Sequence, residues 1–260
     1  MVCSVVPATG TNVSRRLHVA PELLRSGLIR ISGASFRYLA RVLRMQPGDS
    51  LELFDGAGTR ADARVERIDV QAGVVEIVAD APATAPRPHE VTTTLLCSLL
   101  KGDRMEMVIQ KATELGVREI VPVIAARSVV RLEGSRVDAR LARWRKVAIE
   151  AARQCQRADL PELCAPMSFS DAVKGAPECT FRVLLFEGEK SVSLRQALPP
   201  ERPPAVVVAV GPEGGFEAHE VQIARDAGFA VVGFGPRVLR AETAAIAAMA
   251  VVGFAVGDLG

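Results

Sequence analysis

No CxxC pair occurs among the five cysteines, Cys3, Cys97, Cys155, Cys164 and Cys179, and no histidine stands near them at metal-ligand spacing. That argues against a zinc site and against a disulfide framework, and leaves buried, reduced thiols and no bound metal as the expectation. An odd cysteine count without framework spacing fits a reducing cytoplasm better than secretion. The three histidines, His18, His89 and His219, are scattered and carry no assigned role. No long apolar run is present. The longest weakly charged stretch, Thr243 to Gly257, is shorter than the ~20 residues a membrane span needs and reads as a buried helix. The first fourteen residues lack a basic segment followed by an apolar one, so no secretory signal is expected. Aromatics make up 4% of the chain, beside 49% apolar and 24% charged residues, which is the balance of a soluble folded protein rather than a disordered one.

The formal net charge of +2 conceals an uneven distribution. Arg15 to Arg44 holds seven arginines against Glu22 alone, whereas Met45 to Asp80 holds eight acids against Arg60, Arg64 and Arg67. A second basic cluster, Arg127 to Arg157, has eight arginines and Lys146 against Glu133, Asp138 and Glu150. Two basic patches are consistent with a polyanionic partner. Arginine as the ordinary surface cation accounts for them equally well.

The segment APATAPRP at Ala81 to Pro88 has three prolines and divides the chain. The expected organisation is a mobile N-terminus at 1–14, a first domain at 15–80, a linker at 81–88 and a second domain at 89–260. In the first domain, Arg16 to Val19, Leu28 to Ile31, Leu51 to Phe54, Arg60 to Ile68 and Val74 to Val78 read as short strands around one helix, Ser35 to Met45, a small β-barrel pattern. Beyond the linker, apolar strands (Thr93 to Leu99, Glu119 to Ile124, Arg182 to Phe186, Ala205 to Val210 and Phe229 to Phe234) alternate with amphipathic helices. That order predicts an α/β fold with a mostly parallel sheet. Met105, Val108, Ile109, Ala112 and Leu115 form the apolar face of one helix, which Gly116 is placed to end. Another spans about Asp138 to Arg157, with Trp144 on its core face.

Two strands run directly into glycine turns. AVVVAV is followed by GPEGGF (Gly211 to Phe216), and Phe229 to Phe234 by GPRVLRAETA (Gly235 to Ala244). Ligands of α/β sheets collect at the carboxyl ends of strands, where glycine lets backbone approach them closely. Neither turn is GxGxxG or GxxxxGK[ST], so dinucleotide and P-loop sites are excluded by spacing and by the missing lysine. On local chemistry alone, each turn serves equally well as plain geometry, with Glu242 and Thr243 capping a helix that starts near Ala241.

These runs, preceded by KGDRMEMVIQKATELGV (Lys101 to Val117) and EAARQCQRADLP (Glu150 to Pro161), resemble the bacterial RsmE family in that order. These are 16S rRNA uridine N3-methyltransferases of the SPOUT, or trefoil-knot, class. The resemblance reaches into the first domain through RVLRMQPGD (Arg41 to Asp49) and LELFDG (Leu51 to Gly56), and covers nearly everything from Arg16 on. It does not cover the first fourteen residues. Phe36 and Tyr38 also stand where many relatives are expected to have histidine.

The resemblance implies a PUA-like β-barrel that grips RNA, a knotted SPOUT domain that forms a homodimer, and S-adenosylmethionine as cofactor. The cofactor would be contacted from Leu185, Phe186, Glu187 and Gly188; from Val210, Gly211, Pro212, Glu213 and Gly214; and from Phe234, Gly235, Pro236, Val238 and Leu239. Glu187 and Glu213 are the carboxylates available to a cationic sulfonium. Losing the N3 proton of uridine near neutrality costs about 2.7 kcal/mol unless the site helps. Glu242 is the candidate base and Arg240 the candidate partner of the uridine oxyanion. Arg16, Arg41, Arg44, Arg153, Gln154 and Arg157 are the candidate contacts to 16S rRNA, within the small ribosomal subunit. Two other outcomes remain open: a SPOUT enzyme acting on a ribose 2′-oxygen or another base nitrogen, and a noncatalytic ribosome-assembly factor.

Overall fold

The computed structural model describes residues 15–85, 91–130, 132, 134–177, 181–257 and 259. The expected mobile N-terminus at 1–14 and the end of the expected linker, 86–88, lie outside the described residues. The chain forms two compact units, one within Met1–Pro86 together with Arg157–Asp159, the other within Arg87–Gln156 and Leu160–Gly260.

The first unit is a mixed sheet built from β1 (Arg16–His18), β2 (Gly27–Ser32), β3 (Ser50–Phe54), β4 (Thr59–Asp69) and β5 (Val74–Ala79) in the order β1-β3-β4-β5-β2, with β6 (Ala83–Thr84) paired to β4. Strand alternation sets the core face: along β4, Ala61, Ala63 and Val65 are buried and Arg60, Asp62 and Arg64 are not. They meet Leu17, Ile29, Ile31, Leu53, Val75 and Ile77. β6 falls inside the segment expected to be linker. Pro82, just before it, has no N–H to give, and the pairing is confined to Ala83 and Thr84, which face Arg60 and Thr59.

The helix expected over Ser35 to Met45 is shorter and changes character. α1 (Gly33–Arg37) widens into a π turn over Tyr38–Val42, where the Leu43 amide donates to the Tyr38 carbonyl at 2.9 Å, and Arg44 follows with φ of +49°. Leu39 and Met45 are both in the core, at 0% and 1% exposure. Six positions apart, they would face different sides of a regular α-helix. The wider turn and the left-handed residue bring both inward.

The second unit is an all-parallel sheet covered on two faces. Its elements are β7 (Thr92–Ser98), α2 (Arg104–Glu114), β8 (Glu119–Ile124), α3 (Ser135–Cys155), β9 (Glu162–Leu163), β10 (Met167–Ser168), α4 (Phe169–Lys174), β11 (Phe181–Leu185), α5 (Leu194–Ala197), β12 (Ala205–Val210), α6 (Ala218–Asp226), β13 (Ala230–Val232) and α7 (Ala241–Ala255). The strand order is β10-β8-β7-β12-β11-β13, with β9 paired to β8. Burial on both faces explains why these strands read as apolar runs without alternation. Leu95, Cys97, Val183, Val206 and Val208 meet residues of α2, α3 and α7 on one side, while Leu96, Leu184, Val207 and Ala209 meet α4 and α6 on the other. Gly116 follows α2 with φ of +88°, as its spacing requires. α3 ends at Gln156, a left-handed residue without glycine's freedom, and Trp144 is 2% exposed in the core.

Candidate active site

The carboxyl ends of β11, β12 and β13 lie side by side, because β11 pairs with both others in parallel and in register. Three loops leave these ends and surround a cavity of about 430 Å³.

The first loop, 186–193, is tied down by its own carboxylate. Glu189 accepts the amides of Ser191 at 2.7 Å and Val192 at 3.3 Å, and Arg225 Nη2 lies 3.3 Å from its other oxygen. The Ser191 and Val192 amides hold its pKa below the ordinary carboxylate range, against a smaller opposing effect of burial. Ser193 then starts α5 with a capping box completed by Gln196.

The second loop is the turn of GPEGGF. The Gly215 amide donates to the Pro212 carbonyl at 2.9 Å, and Gly215 has φ of +70°, in the left-handed region that glycine enters without strain. Arg127 Nη1 donates to the Gly214 carbonyl at 3.0 Å. Glu220, 3% exposed, accepts the amides of Ala126 and Glu217 at 2.9 Å each, which joins the start of α6 to the segment after β8. Glu213 takes the Lys101 amide at 3.2 Å and Arg104 Nη1 at 2.9 Å. Burial pushes the Glu213 carboxyl up. The amides of Glu213 and Lys101 and the Arg104 guanidinium outweigh that effect and hold it below the usual range.

The third loop ends at α7. Arg240 is its N-cap position, and its carbonyl accepts the Ala244 amide at 2.8 Å. Glu242, in the first turn, is 7% exposed, with Oε1 3.7 Å from Arg104 Nε and Oε2 buried without a hydrogen-bond partner.

Of the fourteen residues expected at the cofactor, the cavity is lined by Leu185, Phe186 and Glu187 from the first loop, by Val210, Gly211, Pro212 and Glu213 from the second, and by Phe234, Gly235, Val238 and Leu239 from the third. Gly188, Gly214 and Pro236 do not line it. Arg240 does, whereas Glu242 does not: its carboxylate is turned into the protein beside Arg104. Sequence reasoning missed Arg104, Glu189, Lys190 and Arg237, all of which line the cavity. Arg104 had a signal in the KGDRMEM run, but at the start of an amphipathic helix it looks like a solvated charge.

The residues expected on RNA divide by burial. Arg41, Arg44 and Gln154 are exposed. Arg16 is not available. Its side chain is 1% exposed, paired with Glu52 at 2.6 Å and set over the Phe54 ring at 4.6 Å. Arg157 is likewise turned inward, 7% exposed and 2.8 Å from Asp159. Arg153 is 13% exposed and pairs with Glu150 at 2.8 Å. No group among the described residues could hold a metal ion, and no helix among them is long and apolar enough to cross a membrane.

This architecture is that of an RNA-modifying α/β domain. Residues 87–253 match the family described as the RNA methyltransferase domain, and residues 31–78 match the RNA methyltransferase PUA domain. Within that class, the chain belongs to the ribosomal RNA small subunit methyltransferase E family. It is 34% identical to the member from Synechocystis over 90% of this chain and 76% of that one, and 30% identical to the member from Bacillus subtilis over 86% and 89%. The solved structure of a ribosomal RNA small subunit methyltransferase E from Neisseria gonorrhoeae, bound to S-adenosyl methionine, is 31% identical with a TM-score of 0.83, over 93% of this chain and 97% of that one. A Legionella pneumophila methyltransferase in complex with SAM is 33% identical with a TM-score of 0.84, over 93% and 98%.

Proposed function

We propose that this protein transfers a methyl group from S-adenosylmethionine to N3 of a uridine in 16S rRNA of the small ribosomal subunit, in the cytoplasm. The observation that carries the reading is the cavity at the ends of β11, β12 and β13, whose wall includes eleven of the fourteen residues the family resemblance assigns to the cofactor. Its size falls in the range of small-molecule sites. Leu185, Phe186, Val210, Phe234 and Leu239 offer an apolar seat for an adenine ring, backbone at Gly211 and Gly235 permits close approach, and Glu187 and Glu213 offset a cation. Bound there, S-adenosylmethionine supplies a methyl group activated by its positive sulfur.

The chain's own residues must lower the cost of removing the N3 proton and hold the base in line. Arg240, exposed on the cavity wall, would stabilise the negative charge that spreads onto the uridine oxygens. The base must be unstacked to reach that wall. Arg41 and Arg44, exposed beside the π turn, would track phosphates from a PUA-like barrel, with Arg153 and Gln154 as further contacts.

The crossing order of β7, β12, β11 and β13 is compatible with the trefoil knot of this class. α7 supports the homodimer. Val251 and Phe254 are exposed, at 42% and 70%, and extend a line with half-buried Ala247 and Ala250 at helical spacing, an apolar stripe that a second copy would cover.

Transfer of labelled methyl to small subunits lacking the modification, with naked 16S rRNA as control, tests the reading, and mass spectrometry of the nucleoside identifies the product. 3-Methyluridine is expected. A 2′-O-methyl or other base-methylated product would move the protein to another SPOUT activity, and a chain that binds no S-adenosylmethionine would be an assembly factor.

A further inference from the structure

Three segments far apart in sequence meet at one guanidinium. Arg104 begins α2 and lines the cavity. Its Nη1 lies 2.9 Å from Glu213 Oε1, an oxygen that also takes the Lys101 amide, and its Nε lies 3.7 Å from Glu242 Oε1, an ion pair rather than a hydrogen bond. Glu213 belongs to the second loop, and Glu242 to the first turn of α7, next to Arg240 and the cavity-lining Ala241. Among the ion pairs of the described residues, Arg104 is the only cation on either carboxylate.

We propose that Arg104 is a positioning residue for methyl transfer, holding Glu213 on the cavity wall and Glu242 behind it at fixed places, and that Glu242 acts only through Arg104 and not as the proton acceptor. This rests on the methyltransferase reading above. The geometry separates the two roles. Glu242 is 7% exposed and off the cavity wall, with one oxygen toward Arg104 and the other buried without a hydrogen-bond partner among the described residues, so its carboxylate does not face a base seated against that wall. Arg104, by contrast, faces the cavity and has two N–H directions in a rigid fork, which a lysine does not reproduce. Losing it leaves two like charges without their counter-ion, one of them buried. The expected result is displacement of the turn at Glu213 and of the helix end that presents Arg240.

A double-substitution cycle on the full chain tests this, with methyl transfer at saturating S-adenosylmethionine, calorimetric affinity for the cofactor and the pH profile as readouts. Arg104→Gln should lower turnover by about 30-fold. Glu242→Gln should lower it less and leave the acid limb of the pH profile in place. The double variant should be no slower than Arg104→Gln alone, because both changes disable one unit. Multiplying losses, or an acid limb that vanishes in Glu242→Gln, would make Glu242 an independent base and overturn the proposal. Should Arg104→Gln fail to fold, Arg104→Lys keeps the charge and must show the same non-additivity with Glu242→Gln. A wild-type chain that binds the cofactor but methylates no RNA would remove the proposed function, and the cycle read on cofactor affinity would still decide the role of Arg104.

Discussion

The Glu187 carboxylate rests against Gly215, so close that a Cβ on Gly215 would overlap its oxygen. One cavity loop thereby presses on the backbone of the next, at a residue whose φ of +70° already disfavours a side chain. Gly215→Ala should lower affinity for S-adenosylmethionine by about tenfold, because it combines backbone strain with displacement of the flexible Glu187 carboxylate from its place in the cavity. Gly235→Ala, at φ of +81° but with nothing within 4 Å of a new Cβ, should cost strain alone, about 1 kcal/mol in stability. Calorimetry with the cofactor and thermal denaturation separate the two. Equal losses of affinity would show that the Glu187 contact is immaterial.

Arg16 makes a prediction about stability rather than RNA. Its guanidinium is inside the first unit with Glu52, which Arg60 also reaches at 3.2 Å. Arg16→Ala should destabilise that unit by about 3 kcal/mol, because Glu52 would lose its closest counter-charge. Denaturant titration followed by a probe in the first unit reads the change. A stable variant with weakened RNA binding would return Arg16 to the RNA surface.

Exposed Arg41 and Arg44 should behave in the opposite way. Replacing both with alanine should leave the melting temperature nearly unchanged, weaken RNA binding and reduce the slope of log affinity against log salt by about 2. Cofactor affinity should stay the same. An unaltered salt slope would mean that neither residue touches phosphate.

Two thiols should be inert. Burial, then the charges of Glu213 and Glu242, pushes Cys97 up to about 12; burial and the hydrogen bond to Glu119 push Cys164 up to about 12. The folded state therefore keeps protons that the unfolded chain releases near the ordinary thiol value of 9.0. The stabilisation is whole below that value and is lost as pH climbs toward about 12. At about pH 8, iodoacetamide should leave both unmodified in the native protein and label both in denaturant, as read by peptide mass spectrometry. Rapid native labelling of Cys164 would contradict its bond to Glu119.

Local pattern carried much of the second unit. AVVVAV at Ala205 to Val210 reads as a buried strand from its unbroken apolar run, whereas the glycines after it allowed a ligand site or a plain turn equally well. Pattern carried less wherever a residue's fate depends on a distant partner. Arg16 and Arg157 read as basic surface because Glu52 and Asp159 do not announce themselves as their counter-ions. Arg104 read as a solvated helix charge because Glu213 and Glu242 reach it only through the strand order. The π turn at Tyr38–Val42 follows from the need to bury both Leu39 and Met45, a core requirement that helical periodicity does not encode. β6 was hidden by its prolines, which mark a break in regular structure but do not forbid two paired residues between them.

The register that places Ala205 opposite Thr92 has a consequence for biosynthesis. β7 is among the first strands of its sheet to leave the ribosome, yet its inner neighbour β12 is among the last. β7 can find β8 early, but the side that β12 will cover stays open while most of the domain is still being made. Pairing across so much chain is slow and leaves apolar edges exposed in the meantime. A nascent chain stalled before Ala205 should therefore be a chaperone client, and the active cavity, which needs β12 between β7 and β11, can form only near the end of translation.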